Sequence, residues 1–223
     1  MPNITAIQPQ KKNPLRENIF LDGEFAFGIS AELRFLSKLH IDDTLTPAQV
    51  EKLIQKDQVN KLVVKALKFL SYRPRSTREV EQHLLYKRKG KSEMEEESEL
   101  ELKNYKKSTQ EAIEFLVKHK QIDDRQFALW WIEGRRKFKK TGDQVIKQEL
   151  FAKGIGKELV EELLAENIED PEKLALQAAQ KKLYSYQKLP PKEFKIKMGQ
   201  YLIRKGYSWE VVSRVVDTLL KKD

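Results

Sequence analysis

Residues 121–155 read QIDDRQFALWWIEGRRKFKKTGDQVIKQELFAKGI, and the segments on both sides resemble weaker copies of this stretch. Asp123 is placed to cap a helix, because its carboxylate can accept early backbone N–H groups and Gln126 completes a capping box. Ile122 is positioned to pack against Phe127 as a hydrophobic staple. The stretch therefore predicts a helix that begins directly after Asp123.

An aromatic stripe runs along this predicted helix. Trp130, Trp131 and Phe138 recur at helical spacing with Phe127 and Gly134. Residues that share one face of a helix are expected to pack together, so we predict that the stripe is buried. For the two tryptophans we favour burial over the alternative, a platform that stacks on nucleic-acid bases.

The second half of the helix is strongly basic. Five cationic side chains surround Phe138 in this part: Arg135, Arg136, Lys137, Lys139 and Lys140. The helix should end at Thr141-Gly142. A shorter amphipathic helix follows, which carries Ile146 and Leu150 and should stop at Lys153-Gly154.

The spacing of this shorter helix recurs later in the chain. The two matching sets are Ile146, Leu150, Gly154 and Met198, Leu202, Gly206, and both glycines follow a lysine. Val80 and Leu84 give a third, partial copy. We therefore predict tandem three-helix repeats at residues 58–121, 122–168 and 169–223. They should stack on one another, because a single unit of this size buries little apolar surface.

Residues 1–57 carry a different pattern, which predicts β-structure and then helix. Asp22-Gly23 lies between two apolar runs and accepts the positive φ angles of a tight hairpin turn. With a short alternating run at residues 4–8, the hairpin predicts a small antiparallel sheet of three strands. A short helix is expected at residues 31–39. Residues 46–49 (TPAQ) then supply a complete helix start.

Further start signals divide the rest of the chain into helices. They are Ser76 with Glu79, Ser108 with Glu111, Asp170 with Pro171, and Ser208. Residues 91–106 form a charged insert, in which six of the nine residues 93–101 are glutamate. We interpret the insert as a solvated loop or helical extension, with an acidic docking surface as the alternative.

Composition limits the class of protein. The 223 residues are 39% apolar and 35% charged, enough for one large or two small domains with a core. No run approaches the roughly 18 apolar residues of a membrane span, and the first residues lack the apolar segment of a signal peptide. The chain also has no cysteine. We therefore expect a cytoplasmic protein without disulfides that does not bind membranes.

The sequence contains no evident catalytic constellation. His40, His83 and His119 are isolated from one another, and cysteine ligands are absent, so a metal site is not expected. The pair Asp123-Asp124 invites a catalytic role, but helix capping explains Asp123. No glycine-rich loop precedes a Lys-Ser or Lys-Thr pair to hold phosphates. We predict a binding protein, not an enzyme, that uses no cofactor.

The net charge of +9 is concentrated in two segments, because residues 59–90 carry nine basic and two acidic side chains and residues 123–154 carry eight and five. A basic surface favours a polyanionic or acidic partner. The predicted interface residues are Arg73, Arg75, Arg78, Lys87, Arg88 and Lys89 in the first segment, and Arg135, Arg136, Lys137, Lys139 and Lys140 in the second. The alternative is that these charges are dispersed and serve only solubility.

Three motifs resemble the RecX family, regulators of the RecA recombinase. They are LDGEFAFGIS at residues 21–30, YRPRSTREVEQHL at 72–84, and IDDRQFALWWIEGRRK at 122–137 followed by QELFAKGI. The resemblance implies a curved array of three-helix repeats without catalytic activity. It also implies binding to RecA filaments on single-stranded DNA and inhibition of ATP hydrolysis, coprotease activity and strand exchange, hence a role in homologous recombination, DNA repair and the SOS response.

This chain departs from the family pattern in two places. The third repeat opens with Asp170-Pro171 instead of an Ile-Asp-Asp start, and the acidic insert lengthens the first repeat. We expect a monomer that reaches single-stranded DNA directly or through RecA. Two other functions stay open, a nucleic-acid-binding protein built of helical repeats and a helical scaffold for protein interactions.

Overall fold

This computed structural model describes residues 1–89 and 99–221, and of residues 87–89 it describes the backbone alone. Within those residues, three strands precede ten α-helices. The chain divides into two compact units, one of Met1–Tyr72 and Val80–Gln121, the other of Arg73–Glu79 and Ile122–Asp223. The predicted fold, a mainly helical chain that begins with a small antiparallel sheet, is confirmed.

The sheet contains β1 (Ile4–Gln10), β2 (Asn13–Leu21) and β3 (Glu24–Ser30), antiparallel and in that order. Asp22 and Gly23 have φ angles of 49° and 88°, as a primed hairpin turn requires. One face is covered, and its fully buried members are Ile4, Ile19 and Ile29. The predicted hairpin and third strand are therefore confirmed.

Two helices complete the N-terminal core, α1 (Ala31–Leu36) and α2 (Pro47–Leu70). The capping box that begins α2 is confirmed, because the Gln49 backbone N–H donates to the Thr46 hydroxyl and the Gln49 side chain accepts from the Thr46 backbone N–H. Helix α2 is continuous, so the boundary predicted between residues 57 and 58 falls inside it. The buried apolar residues that α1, α2 and their connection add are Leu33, Leu39, Leu45 and Leu53.

The next helices are α3 (Thr77–Lys89) and α4 (Glu99–Lys118). The predicted helix start at Ser108 is wrong, because Ser108 lies buried inside α4. Beside it, the Thr109 hydroxyl donates to the Tyr105 carbonyl at 2.9 Å, which satisfies a hydroxyl within a helix without ending it. Residues 91–98 of the acidic insert lie outside the described residues, whereas residues 99–106 belong to α4.

The second unit begins with α5 (Asp124–Gly134), a π-helical segment (Arg135–Lys139), α6 (Asp143–Ala152) and α7 (Lys157–Glu166). Asp123 caps α5 as predicted, since its carboxylate accepts the Gln126 N–H at 3.0 Å. These helices share one core, whose most buried members are Phe127, Ala128, Ile132, Ile146, Leu150, Val160 and Leu163.

Three further helices, α8 (Pro171–Tyr186), α9 (Pro191–Arg204) and α10 (Trp209–Leu220), surround another core in this unit. Asp170 and Ser208 cap α8 and α10 as predicted. The core includes Ala175, Ala178, Met198, Leu202, Val212 and Val215. Among the helices of residues 1–89 and 99–221, none combines the length and apolar character needed to cross a membrane.

The prediction of a buried aromatic stripe on α5 is wrong for two of its members. Phe127 is buried, but Trp130 is 40% exposed and Phe138 is 69% exposed. The buried face runs from Phe127 toward Ala128 and Ile132, and Trp130 lies on the other side of Phe127. Phe138 leaves this face because the wider π-helical turn changes the spacing after α5.

Candidate basic interface

Of the predicted cations before α3, Arg73 lies close to Trp130. Arg73 donates two hydrogen bonds to the carboxylate of Glu79, at 2.9 and 3.0 Å, and its guanidinium lies 5.9 Å from the Trp130 ring centroid. Arg75 is half-buried, and burial together with the charge of Arg73 lowers the pKa of its guanidinium. The charge of Arg73 is thus compensated within the protein.

Of the remaining predicted cations of the first segment, only Arg78 has a described side chain. Arg78 is exposed, and its aliphatic part lies so close to Gly154 that a Cβ on the glycine would be 2.7 Å from the Arg78 Cβ. The side chains of Lys87, Arg88 and Lys89 lie outside the described residues. Of this segment, only Arg73, Arg75 and Arg78 are therefore located.

Trp131 lies at the centre of a network of hydrogen bonds and cation–π contacts. Its indole N–H donates to Glu149 at 2.8 Å. The Arg135 guanidinium and the Lys153 ammonium lie 4.2 and 4.5 Å from the ring centroid. Arg135 also donates to Glu149, and Lys153 donates to Glu79 at 2.6 Å. Each cation that contacts this ring is thus paired with a carboxylate.

The start of α3 and the turn after α6 form what we call the first junction, residues 76–79 with Lys153-Gly154. The Ser76 hydroxyl donates to the Lys153 carbonyl at 2.7 Å. Burial acts to raise the pKa of Glu79, but its bonds to Arg73 and Lys153 outweigh this and lower the pKa from 4.5 to about 2. The first junction is therefore closed by an ionised, fully paired carboxylate.

Arg136 is a structural residue of the second unit. It is only 3% exposed, and its guanidinium donates to the Asn167 carbonyl and, at 2.8 Å, to the Asp143 carboxylate. These bonds connect the π-helical segment with the start of α6 and the end of α7. A guanidinium in this position is not presented to a partner.

The second junction is formed where the residues after the π-helical segment, 139–142, meet the turn after α9, residues 205–207. The Gly142 N–H donates to the Lys205 carbonyl at 2.7 Å, and the Tyr207 hydroxyl donates to the Lys140 carbonyl at 2.8 Å. The two backbones are so close that a Cβ on Gly142 would lie 2.4 Å from the Gly206 carbonyl oxygen. Burial raises the pKa of Tyr207, which keeps it a neutral donor.

Lysine ammonium groups gather at the second junction. Lys181 donates to the Phe138 carbonyl at 3.1 Å, and Lys205 donates to the Lys139 carbonyl at 2.8 Å. Burial, and then the charges of Lys181 and Lys139, lower the pKa of Lys205. Among the carboxylates of residues 1–89 and 99–221, none forms an ion pair with Lys139, Lys181 or Lys205. Within the described chain, these three ammonium groups are therefore not neutralised by an ion pair.

Phe138 adds an apolar ring to this basic surface. It is 69% exposed, and the Lys137 ammonium lies 5.6 Å from its ring centroid. Lys137 and Lys139 are exposed, whereas Lys140 is half-buried with a φ angle of 50°. The predicted cations thus separate into paired Arg135 and Arg136 and a solvent-facing group of lysines.

Lys181 and Lys205 belong to this surface but were not predicted from the sequence. The Lys-Gly repeat marked Lys205 as the end of a helix, which is correct, but did not indicate its charge environment. Lys181 is one of several lysines on α8, and nothing in its spacing distinguishes it. Their proximity follows from the contacts that α8 and the turn after α9 each make with the π-helical segment.

Two other features of the structure bear on function. A groove of about 450 Å³ on α9 and the start of α10 is lined by Lys195, Ile196, Gly199, Gln200, Ile203, Arg204 and Trp209. Its lining is largely apolar and contains no carboxylate or histidine. In the part of the chain that the structure describes, no three His, Asp or Glu side chains form a group that could hold a metal ion.

Family models match three parts of the chain. Residues 2–46 match the model of the regulatory protein RecX N-terminal domain. Residues 123–164 match the RecX second three-helix domain, and residues 169–216 match the RecX third three-helix domain. The matches include the sheet, the core around α5 to α7, and most of the core around α8 to α10.

Relatives and solved structures extend the similarity over nearly the whole chain. The regulatory protein RecX of Bacillus licheniformis is 36% identical over 214 residues, covering 96% of this chain and 76% of the relative. That of Clostridium beijerinckii is 34% identical over 227 residues, covering 100% and 98%. A crystal structure of regulatory protein RecX matches with a TM-score of 0.73 and 25% identity, over 97% of this chain and 100% of the other.

A crystal structure of RecX from Lactobacillus salivarius has the same fold, with a TM-score of 0.57 and 24% identity over 74% of this chain and 97% of the other. The relatives are named regulatory proteins, which implies a regulatory role. The resemblance found in the sequence is thereby confirmed. This chain belongs to the RecX family of regulatory proteins.

Proposed function

We propose that this protein binds RecA filaments on single-stranded DNA and inhibits their recombinase, ATPase and coprotease activities. The observation that carries the proposal is family membership over nearly the full chain. A regulator of this kind acts through binding, so it requires neither a nucleophile nor a cofactor. The proposal includes a cytoplasmic, monomeric protein with roles in homologous recombination, DNA repair and the SOS response.

The exposed lysines of the π-helical segment are the part of the surface that best fits this partner. A filament on DNA carries a dense array of phosphates, and a basic surface is attracted to such an array. Lys137 and Lys139 face solvent and Lys140 is half-buried beside them. Arg78 is exposed as well. We propose these four of the predicted residues as contacts.

Three other located members of the predicted interface stabilise the second unit instead. Arg73, Arg135 and Arg136 are each bound to a carboxylate of the second unit. A paired cation contributes little net field at a distance, because its partner cancels most of it. The division into three-helix repeats at residues 58–121, 122–168 and 169–223 is part of this proposal, since stacked repeats offer an extended surface to a filament.

The proposal predicts that this protein, added below the concentration of RecA, suppresses the DNA-dependent ATPase of RecA filaments. A filament is a linear assembly, so a regulator that bridges protomers or blocks extension acts at substoichiometric amounts. ATP hydrolysis by RecA on single-stranded DNA measures this directly. An ATPase rate that is unchanged at equimolar protein would contradict the proposal.

A pair of charge-matched variants tests the proposed contacts. Lys137→Gln with Lys139→Gln removes two solvent-facing charges of the π-helical segment, and we expect weaker inhibition. Lys52→Gln with Lys56→Gln removes two exposed charges from α2 and should inhibit like the parent protein. Equal loss in both variants would show that only the net charge matters, in which case these lysines are not the contact.

A further inference from the structure

We infer that the second junction binds single-stranded DNA directly, with Lys181 and Lys205 on phosphate groups and Phe138 stacked on a neighbouring base. This inference deepens the proposed function, and it takes its biological setting from that proposal. The binding itself requires no RecA. It assigns a ligand to Lys181 and Lys205, which lie outside the interface predicted from the sequence.

The lysine geometry leaves donors available for a phosphate. An ammonium group has three N–H donors, and the Lys181 and Lys205 ammoniums are each held by one carbonyl, at 3.1 and 2.8 Å. Those carbonyls belong to consecutive residues, Phe138 and Lys139, so the two ammoniums are fixed near each other. Like charges at short range repel, and a phosphate between them would remove that repulsion.

Two carboxylates near this junction, Asp143 and Glu169, help raise the pKa of Tyr207, but neither forms an ion pair with Lys181 or Lys205. Asp143, at the start of α6 beside the junction, is engaged by Arg136 at 2.8 Å. In the first junction the corresponding ammonium, that of Lys153, is bound to Glu79. The second junction keeps the lysine and lacks the carboxylate, which is the arrangement expected of a site for an external anion.

Phe138 favours single-stranded DNA over the other polyanions that a lysine cluster would attract. Its ring is 69% exposed on the segment whose carbonyls hold the two lysines. Aromatic side chains beside a basic groove stack on unpaired bases, whereas the bases of a duplex are already stacked on one another. An acidic protein surface would use the lysines but would give the exposed ring no role.

The site is also held rigidly. The contact between Gly142 and Gly206, together with the bond from Tyr207 to the Lys140 carbonyl, ties the turn after α9 to the end of the π-helical segment. Lys205 is on that turn and Lys139 on the segment. A site whose parts are fixed before binding loses less conformational entropy when the ligand arrives.

The charge contribution is tested with the full chain and no RecA. Fluorescence anisotropy of a labelled oligo(dT) of about 16 nucleotides measures binding across a range of salt concentrations. Lys181→Gln with Lys205→Gln should weaken binding and flatten the plot of log affinity against log salt by about 1.4, because each lost phosphate contact on a single strand removes about 0.7. Lys52→Gln with Lys56→Gln, charge-matched on α2, should leave the slope unchanged.

The stacking contribution is tested separately at Phe138. Phe138→Ala should weaken oligo(dT) binding about fivefold to a hundredfold, with an unchanged salt slope because no charge is removed. Phe138→Trp should bind at least as tightly as the parent protein, since it keeps a stacking surface. Because Phe138 is exposed, both variants should retain the parent melting temperature, which is measured in parallel.

Four results would overturn the inference. The first is a parent protein that does not bind oligo(dT), and the second is a lysine double variant with the parent's affinity and salt slope. The third is a lysine double variant that loses no more oligo(dT) affinity than the α2 control does. The fourth is a lysine double variant that loses RecA inhibition but keeps oligonucleotide binding. The last result would assign the lysines to an acidic surface of a protein. Oligonucleotide binding without any effect on RecA ATPase would instead leave this inference standing and contradict the proposed function.

Discussion

The two junctions of the second unit share a backbone arrangement. In each, a Lys-Gly turn at the end of a helix meets the first residues of another helix. The carbonyl of Lys153 accepts from the Ser76 hydroxyl at 2.7 Å, and the carbonyl of Lys205 accepts from the Gly142 N–H at 2.7 Å. Ser76 and Gly142 both immediately precede their helices, α3 and α6. The same joint is therefore built twice.

The junctions differ in what lies at the third position of the helix that each turn contacts. In the first this residue is Glu79, which binds Lys153 at 2.6 Å. In the second it is Val145, and the Lys205 ammonium contacts a backbone carbonyl instead. One side chain thus distinguishes a joint whose lysine forms an ion pair within the protein from a joint whose lysine is bound by a backbone carbonyl, where we infer an external anion.

The largest expected effect comes from breaking the first junction with Glu79→Gln. The carboxylate is bound by Arg73 and Lys153 and its pKa is lowered from 4.5 to about 2, so its ionisation contributes about 3 kcal/mol to the free energy of unfolding. A lowered folded-state pKa contributes stability that is complete above the unfolded pKa. The difference between the parent and Glu79→Gln should therefore be full at neutral pH and shrink as the pH falls from about 4.5 toward 2.

Chemical denaturation across this pH range measures the effect. Glu81→Gln, an exposed carboxylate on the same helix, is the matched control and should change stability by less than about 0.5 kcal/mol. A Glu79→Gln loss that does not vary between neutral and acid pH would show that packing, not ionisation, closes the first junction.

An intermediate effect is expected from Gly142→Ala, which breaks the second junction. The backbone of Gly142, with φ −76° and ψ 162°, is allowed for alanine, so the cost arises from the Cβ that would lie 2.4 Å from the Gly206 carbonyl oxygen. We expect a loss of about 2 kcal/mol, the usual size for a forced overpacking. Gly156→Ala is the matched control, because Gly156 also precedes a helix in extended conformation and has no atom within 4 Å of an added Cβ.

Thermal unfolding of the two alanine variants gives the comparison. Both lose a glycine before a helix, so the difference between them isolates the contact of the two turns. Equal melting temperatures would mean that the turns can separate at little cost. In that case the joint would not hold Lys205 in place.

Local signals in the sequence predicted most of the framework. Asp123, Asp170 and Ser208 cap their helices as expected, because a capping side chain depends only on residues within three positions of it. Gly154 and Gly206 both adopt positive φ angles, 84° and 92°, at the predicted helix ends. The sequence therefore predicted that both Lys-Gly turns end a helix in the same way.

Local sequence signals could not predict which cations of the interface are paired with acceptors inside the protein. Whether an arginine is free depends on acceptors elsewhere in the chain, such as the Glu149 carboxylate for Arg135 and the Asn167 backbone carbonyl for Arg136. Helical periodicity also assumed a regular α-helix through Phe138, and the π-helical segment changes that spacing. The sequence indicated a basic segment correctly but could not separate its paired arginines from its open lysines.

The smallest effect on stability, and the sharpest test of the comparison, is expected from Val145→Glu. Val145 is half-buried beside Gly206, and a carboxylate at this position would reproduce the relation of Glu79 to Lys153. We expect a change in unfolding free energy within about 1 kcal/mol, because a partly exposed ion pair gains little net energy. Val145→Gln has the same length without the charge and serves as the control.

Val145→Glu should change the binding of oligo(dT) more than it changes the free energy of unfolding. In Val145→Glu the new carboxylate competes with phosphate for Lys205, so the salt slope should fall by about 0.7, one contact on a single strand. Val145→Gln should keep the parent slope, and its affinity should change little. If Val145→Glu and Val145→Gln bind oligo(dT) with the same affinity and salt slope, the new carboxylate does not neutralise Lys205. The similar backbone hydrogen bonds of the two junctions would then not make their third helix positions equivalent. If only the glutamate variant loses the contact, a single acidic side chain accounts for the difference between the closed junction and the open one.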